Sequence, residues 1–123
     1  MNGSSILLDT NIILYYLSGD KALTTLLEEN KLYVSIITEI ELLGFHKISE
    51  QELQSLKAFL NFCTVVNISD QVKAETINIR RNEKLKLPDA LIIATSRVME
   101  IPFLTADQDF TQIKDERIIY YER

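Results

Sequence analysis

Four acidic residues, Asp9, Glu41, Asp89 and Asp107, stand where apolar runs end or helices begin. In "SILLDTNIIL" Asp9 separates two apolar runs. In "VSIITEIELLG" Glu41 lies one helical turn beyond Ile37 and one turn before Gly44. In "LKLPDALIIATS" Asp89 follows Pro88 at the start of a strongly apolar segment, and in "FLTADQDF" Asp107 comes two residues after Thr105. Each has an ordinary structural use. Asp9 suits a helix N-cap, Thr38 and Glu41 match a capping-box spacing, Asp89 suits the positive end of a helix dipole, and Asp107 suits the cap of a short helix. Gathered in one cleft they would do something else. Two carboxylates about 5 Å apart repel by roughly 3 kcal/mol at an effective dielectric near 20. Such a cluster needs protonation, or a hard divalent cation such as Mg²⁺ or Mn²⁺, whose natural ligands are carboxylate oxygens and water.

Other chemistries lack their residues. A Ser-His-Asp or Cys-His site needs a histidine base, and the sole candidate, His46 in "LGFHKI", reads as a helix-surface residue. The single cysteine, Cys63, sits among apolar neighbours in "LNFCTVV", which reads as a buried, inert thiol in a reducing compartment. Zinc of the Cys/His type therefore has no ligand set. Gly3, Gly19 and Gly44 are scattered, so there is no glycine-rich loop to cradle a phosphate.

The elements that must position these acids alternate between strand and helix. The chain has 123 residues, 46 % apolar and 25 % charged, which suits a single domain over 1–123 that buries about two-thirds of its unfolded surface. Short strands are expected at 4–9, 31–35, 64–68, 101–105 and 117–121. Helices are expected at 11–17, 22–30, 36–48, from the Ser49 cap to 62, from Ser69 to about Glu83, and from Pro88 to Met99. Strands of about five residues separated by helices call for a parallel sheet covered on both faces. Ligands in such α/β sheets bind at the carboxyl ends of the strands, near a topological switch point. All four acids then fall at strand ends or helix starts on that one edge.

In this order and spacing, "LLDTN", "EIELLG", "LPDALIIAT" and "LTADQDF" resemble the PIN-domain ribonucleases, most closely the VapC-type toxins of toxin–antitoxin pairs. The resemblance covers essentially the whole chain. It implies an α/β, PIN-like three-layer domain with a central parallel sheet of about five short strands flanked by helices. It also implies that Asp9, Glu41, Asp89 and Asp107 form an acidic quartet holding Mg²⁺ or Mn²⁺, with Asn11, Thr105 and Asp109 in supporting positions. Glu39 competes with Glu41; the latter is preferred because "ELLG" matches the family pattern. One departure is the segment "RRNEKLKLPD", which lacks the glycine often found before the aspartate. The implied reaction is hydrolysis of RNA phosphodiesters by a metal-activated water, leaving a 5′ phosphate and a 3′ hydroxyl. The implied partners are an RNA substrate, a small antitoxin protein and a second copy of the chain; the interrupted N-terminal apolar run and the lone cysteine separately point to the cytoplasm.

Overall charge opposes this. The net charge of −5 and a pI near 4.9 repel a polyanion. Arg80, Arg81, Lys84 and Lys86 cluster just before Asp89, with Arg97 on the next helix, and form either a solvated face or a phosphate-guiding rim. Two other functions remain open at this level. One is a catalytically idle PIN-like module that acts through a protein interface, for which Tyr15, Tyr16, Phe45, Phe59 and Phe62 supply apolar surface. The other is a Mg²⁺-dependent phosphatase or phosphotransfer domain with Asp9 as nucleophile, although "DTN" lacks the second aspartate of the common phosphatase loop. No run approaches the roughly 20 apolar residues of a membrane span, and the N-terminal apolar run is too interrupted for a secretory signal.

Overall fold

A computed structural model describes residues 4–123; Met1, Asn2 and Gly3 lie outside the described residues. The elements run β1 (Ser5–Leu8), α1 (Thr10–Leu17), α2 (Lys21–Glu28), β2 (Lys31–Ser35), α3 (Ile36–Leu43), α4 (Glu50–Leu60), β3 (Thr64–Val66), α5 (Asp70–Asn82), α6 (Leu87–Met99), β4 (Phe103–Thr105), a 3-10 helix (Gln108–Gln112) and β5 (Ile118–Tyr120). The strands form one sheet in the order β3-β2-β1-β4-β5, with every pairing parallel. The expected three-layer α/β architecture is therefore the observed one.

Strand alternation divides the core in two. Ile6 and Leu8 of β1 and Leu104 of β4 face α1 to α4, where they meet Ile12, Ile13, Leu23, Leu27 and Leu56. Leu7 and Phe103 point the opposite way, into α5 and α6. Helix α6 lies deep enough that every residue from Ala90 to Ser96 is buried, so its sequence reads as an apolar run rather than a stripe. No described helix is long and apolar enough to cross a membrane.

Two helix boundaries show how the rules operate. Ser49 caps α4 as expected and does so in a capping box with Glu52, the Ser49 hydroxyl accepting from the Glu52 N–H and the Glu52 carboxylate from the Ser49 N–H. Helix α3, by contrast, stops at Leu43 rather than reaching Ile48. Gly44 caps it, its N–H donating to the Ile40 carbonyl at 2.8 Å, and a Cβ at Gly44 would stand 2.7 Å from that same oxygen. His46 consequently sits in an exposed turn, its ring 5.5 Å from that of Phe45, and not on a helix surface. Cys63 is half-buried rather than fully buried as expected; burial still pushes its thiol up to about 11, leaving it unreactive at neutral pH.

Arg97 holds α6 to its neighbours. Its guanidinium donates to Asp115 Oδ2 at 2.9 Å and to Glu75 Oε2 at 3.0 Å, joining α6 to α5 and to the turn before β5. It therefore serves the fold and does not belong to a phosphate-guiding rim. Replacing it, as Arg97→Met, strands two carboxylates in a half-buried setting and is expected to cost about 2 kcal/mol in chemical denaturation. Burial raises the Asp115 carboxyl, but the Arg117 N–H and Arg97 together hold it below its ordinary 3.8. A depressed carboxyl contributes stability that is present above 3.8 and fades as the pH falls through the folded value. The variant's deficit should accordingly be full at pH 7 and shrink below pH 4; an equal deficit at both would contradict this.

Candidate active site

The chain builds β1, β2 and β3 outward in one direction, then crosses back to place β4 on the other side of β1. The switch point thus lies between β1 and β4, and Asp9 and Asp107 follow those two strands at their carboxyl ends. Asp9 is 6 % exposed and extended in backbone. It is the α1 N-cap: its Oδ1 accepts from the Thr10 N–H at 2.8 Å, and its Oδ2 accepts from the Thr105 hydroxyl at 2.5 Å. Thr105 Oγ1 in turn accepts the Asp107 N–H at 3.0 Å, and Asp107 caps the 3-10 helix by accepting from the Asp109 N–H at 2.9 Å. One buried hydroxyl therefore positions the backbone of Asp107 and the carboxylate of Asp9. Capping does not exhaust these groups, since a carboxylate has about four lone-pair sites.

Asp89 is half-buried in the first turn of α6, and Glu41 is exposed on α3. Their electrostatics tie them to the same rim. Burial pushes the Asp9 carboxyl up, against the Thr105 and Thr10 hydrogen bonds, and the charges of Asp107 and Glu41 push it further. Burial likewise raises Asp89, and Asp107, Asp9 and Asp109 add to this while Lys86 opposes. Glu41 is raised by burial and then by Asp89. The acid on α3 that shares this field is Glu41, the residue preferred over Glu39.

The four acids share one field without forming a closed cage. Among the described residues, no three Asp, Glu, His or Cys side chains form a group that could hold a metal ion as they stand. What they offer is hard oxygen donors at a rim of excess negative charge. That chemistry fits Mg²⁺ or Mn²⁺ and does not fit zinc of the Cys/His type.

The supporting and basic residues divide. Thr105 is central, and Asp109 lies beside Asp107 and 3.9 Å from the Lys86 ammonium. Asn11 is exposed on the first turn of α1. Arg80 donates to the Leu85 carbonyl at 2.9 Å, closing the α5–α6 connection, while Arg81 and Lys84 are exposed there. Lys86 is thus the cation of this cluster that acts on the acidic rim.

Two features beside the rim emerge only from the fold. A groove of about 530 Å³ runs between α1, α3 and α4, lined by Leu14, Leu17, Phe45, Ile48 and Leu56, and reaches the rim at Thr10 and Glu41. Of the apolar residues noted above, Phe45 is 55 % exposed in this groove and Phe62 is 84 % exposed elsewhere, whereas Phe59 is buried. The second feature is Thr38, one turn before Glu41 and fully buried, whose hydroxyl has no hydrogen-bond partner among the described residues. It does not form the capping box with Glu41, because α3 begins earlier and is capped by Ser35. An unpaired buried hydroxyl is costly, so Thr38→Val is expected to raise stability by about 1 kcal/mol in thermal melts. A loss of stability would mean that the hydroxyl has a partner.

The PIN domain family matches residues 6–116. The chain is 30 % identical to a chain of a toxin–antitoxin complex from Klebsiella pneumoniae, over 96 % of this chain and 99 % of that one, with a TM-score of 0.79. VapBC2 from Rickettsia felis, bound to a DNA fragment from its promoter, has the same fold at 20 % identity and a TM-score of 0.82, over 96 % and 99 % of the two chains. So does DNA-bound VapBC from Salmonella typhimurium, at 21 % identity and 0.78, over 98 % of each. No curated protein matches the sequence.

Proposed function

The chain belongs to the PIN domain family, and from that premise we propose that it is a Mg²⁺- or Mn²⁺-dependent endoribonuclease, the toxin of a type II toxin–antitoxin pair, carried by a single domain over 1–123. The observation that carries this is the Thr105 hydroxyl linking Asp9 and Asp107 across the switch point, with Asp89 and Glu41 in the same field. The structural likeness to toxin–antitoxin complexes supports the same assignment.

Asp9, Asp89 and Asp107 would hold the ion, with Glu41 completing the donor set or orienting the attacking water. When bound, the ion supplies an acidified water and shields charge on the scissile phosphate. The protein's own contributions are separable. Thr105 fixes the direction of the Asp9 carboxylate, and the caps made by Asp9 and Asp107 tie both acids to the ends of rigid elements. Burial of Asp9 lowers the local dielectric and so strengthens its hold on any cation. Lys86, 3.9 Å from Asp109, with the exposed Arg81 and Lys84 in the same connection, would offer positive charge to an incoming RNA backbone and offset part of the net negative charge.

The groove favours a partner as well as a substrate. Its apolar lining and its continuity with Thr10 and Glu41 suit an apolar segment of a small antitoxin, placed so that a polar end can reach the acids. The same groove would serve the idle-module reading. A homodimer and a cytoplasmic location complete the proposal. Incubation with total RNA, tRNA and ribosomal RNA in Mn²⁺ separates the two readings. Cleavage that EDTA blocks and Mn²⁺ or Mg²⁺ restores, leaving 5′ phosphates, is the expected result; intact RNA under every condition selects the idle module.

A further inference from the structure

We propose that Tyr120 is a stacking platform for an unpaired nucleobase next to the scissile phosphate; this rests on the nuclease reading above and names the part of the substrate that the rim grips. Tyr120 ends β5 directly opposite Thr105 in the parallel register, and the following Tyr121 N–H donates to the Thr105 carbonyl at 2.8 Å. Thr105 is the residue whose hydroxyl holds Asp9. With neighbouring strands about 4.8 Å apart, the end of β5 lies roughly 10 Å along the rim from the end of β1, with that of β4 between them.

The ring's face and exposure follow from the strand. Ile118, two residues earlier, packs into the core under α5 and α6. Alternation therefore puts Tyr120 on that same face, the one whose helix α6 carries Asp89 in its first turn. Tyr120 is 36 % exposed, at the end of an edge strand. The Asp107 carboxylate is near enough for its charge, after burial, to push the phenol up. A half-exposed aromatic ring and the acids thus share one edge.

Stacking suits this chain's charge. A protein with a net charge of −5 gains little overall from a phosphate backbone, whereas a base stacked on an aromatic ring is held by a force that salt does not screen. Bases inside a duplex are already stacked on one another, so the platform selects single strands, loops or splayed-out nucleotides.

Steady-state cleavage of a short single-stranded RNA in Mn²⁺ tests this with the full chain, Tyr120→Phe and Tyr120→Leu. The leucine variant is expected to raise KM about 10-fold with kcat within about 2-fold, and the phenylalanine variant to behave as the parent. An abasic nucleotide at one position beside the cut should raise the parent's KM by the same factor and leave the leucine variant unchanged. A 2-aminopurine placed there should be quenched by the parent and by Tyr120→Phe, but not by Tyr120→Leu. The proposal is overturned if the leucine variant matches the parent, if phenylalanine loses as much as leucine, or if no abasic position affects the parent. The abasic arm on the parent decides even if a variant fails to fold. A parent that cleaves no RNA overturns the nuclease reading; an active parent with an indifferent leucine variant overturns the stacking alone.

Discussion

Asp9→Asn is expected to lower metal-dependent RNA cleavage by at least roughly 10³-fold, the scale on which loss of a central catalytic group acts, while leaving the fold intact. The amide keeps an oxygen for the Thr10 N–H, and its NH₂ can donate to the Thr105 hydroxyl, so both contacts of Asp9 survive with the direction of one reversed. What is lost is a buried negative charge. Burial, then Asp107 and Glu41, hold the Asp9 carboxyl above its ordinary 3.8 despite two hydrogen bonds. A carboxyl raised in this way destabilises the fold when ionised: the cost is absent below the ordinary value and complete above the folded one. Without divalent cations the variant should therefore melt above the parent at pH 7, and the difference should vanish as the pH falls toward 4. Added Mn²⁺ should raise the parent's melting temperature and leave the variant's unchanged. A variant that cleaves as well as the parent, or that melts below it at neutral pH, would refute the assignment.

The second large effect concerns the groove between α1, α3 and α4. Leu14 and Phe45 line it and are 45 % and 55 % exposed, too open for the core to depend on them. Leu14→Glu and Phe45→Glu would put a charge against any apolar segment seated there. Each is expected to weaken binding of the antitoxin by about 30-fold or more, the effect of losing an interface anchor, while cleavage of free RNA stays at the parental rate. Calorimetric titration of the antitoxin, paired with a cleavage assay in its presence, reads both quantities. Cleavage that resists inhibition is the expected result. Inhibition as tight as the parent's would move the antitoxin to another surface.

The elements that place the acids were legible where local rules and tertiary packing agree. The apolar run before Asp9, the Ser49 cap and Pro88 each state a boundary in a few residues, and the structure keeps all three. The apolar spacing predicts a longer α3 because it continues through Phe45 and Ile48, although the backbone turns at Gly44 and sends those side chains toward the groove. Arg97 looked like one more cation near the acids. Its partners, Glu75 and Asp115, lie far from it in sequence, and it sits at the end of α6 opposite Asp89, roughly 12 Å away along the helix axis.

At the candidate site the four acids could be picked out by their positions at strand ends and helix starts, whereas their coupling could not. Asp9 and Thr105 meet across 96 positions of sequence, and only the crossover to β4 brings them side by side. The capping readings and the functional one turned out to be compatible, since Asp9 and Asp107 cap helices with one oxygen and share a field with the other acids. The spacing to Glu41 marked Thr38 only as a helix cap, which the Ser35 cap rules out, and nothing marked Tyr120. A threonine in a helix and a tyrosine in a strand are ordinary, and only their burial and register set these two apart.

The measurement closest to the central claim is an anomalous-scattering map from crystals of the chain grown with Mn²⁺. A cation peak at the carboxyl edge of the sheet, within bonding distance of oxygens from Asp9, Asp89 and Asp107 and lost from crystals of Asp9→Asn, is the predicted result. A map in which manganese bypasses those residues, or sits there equally in Asp9→Asn, would contradict it.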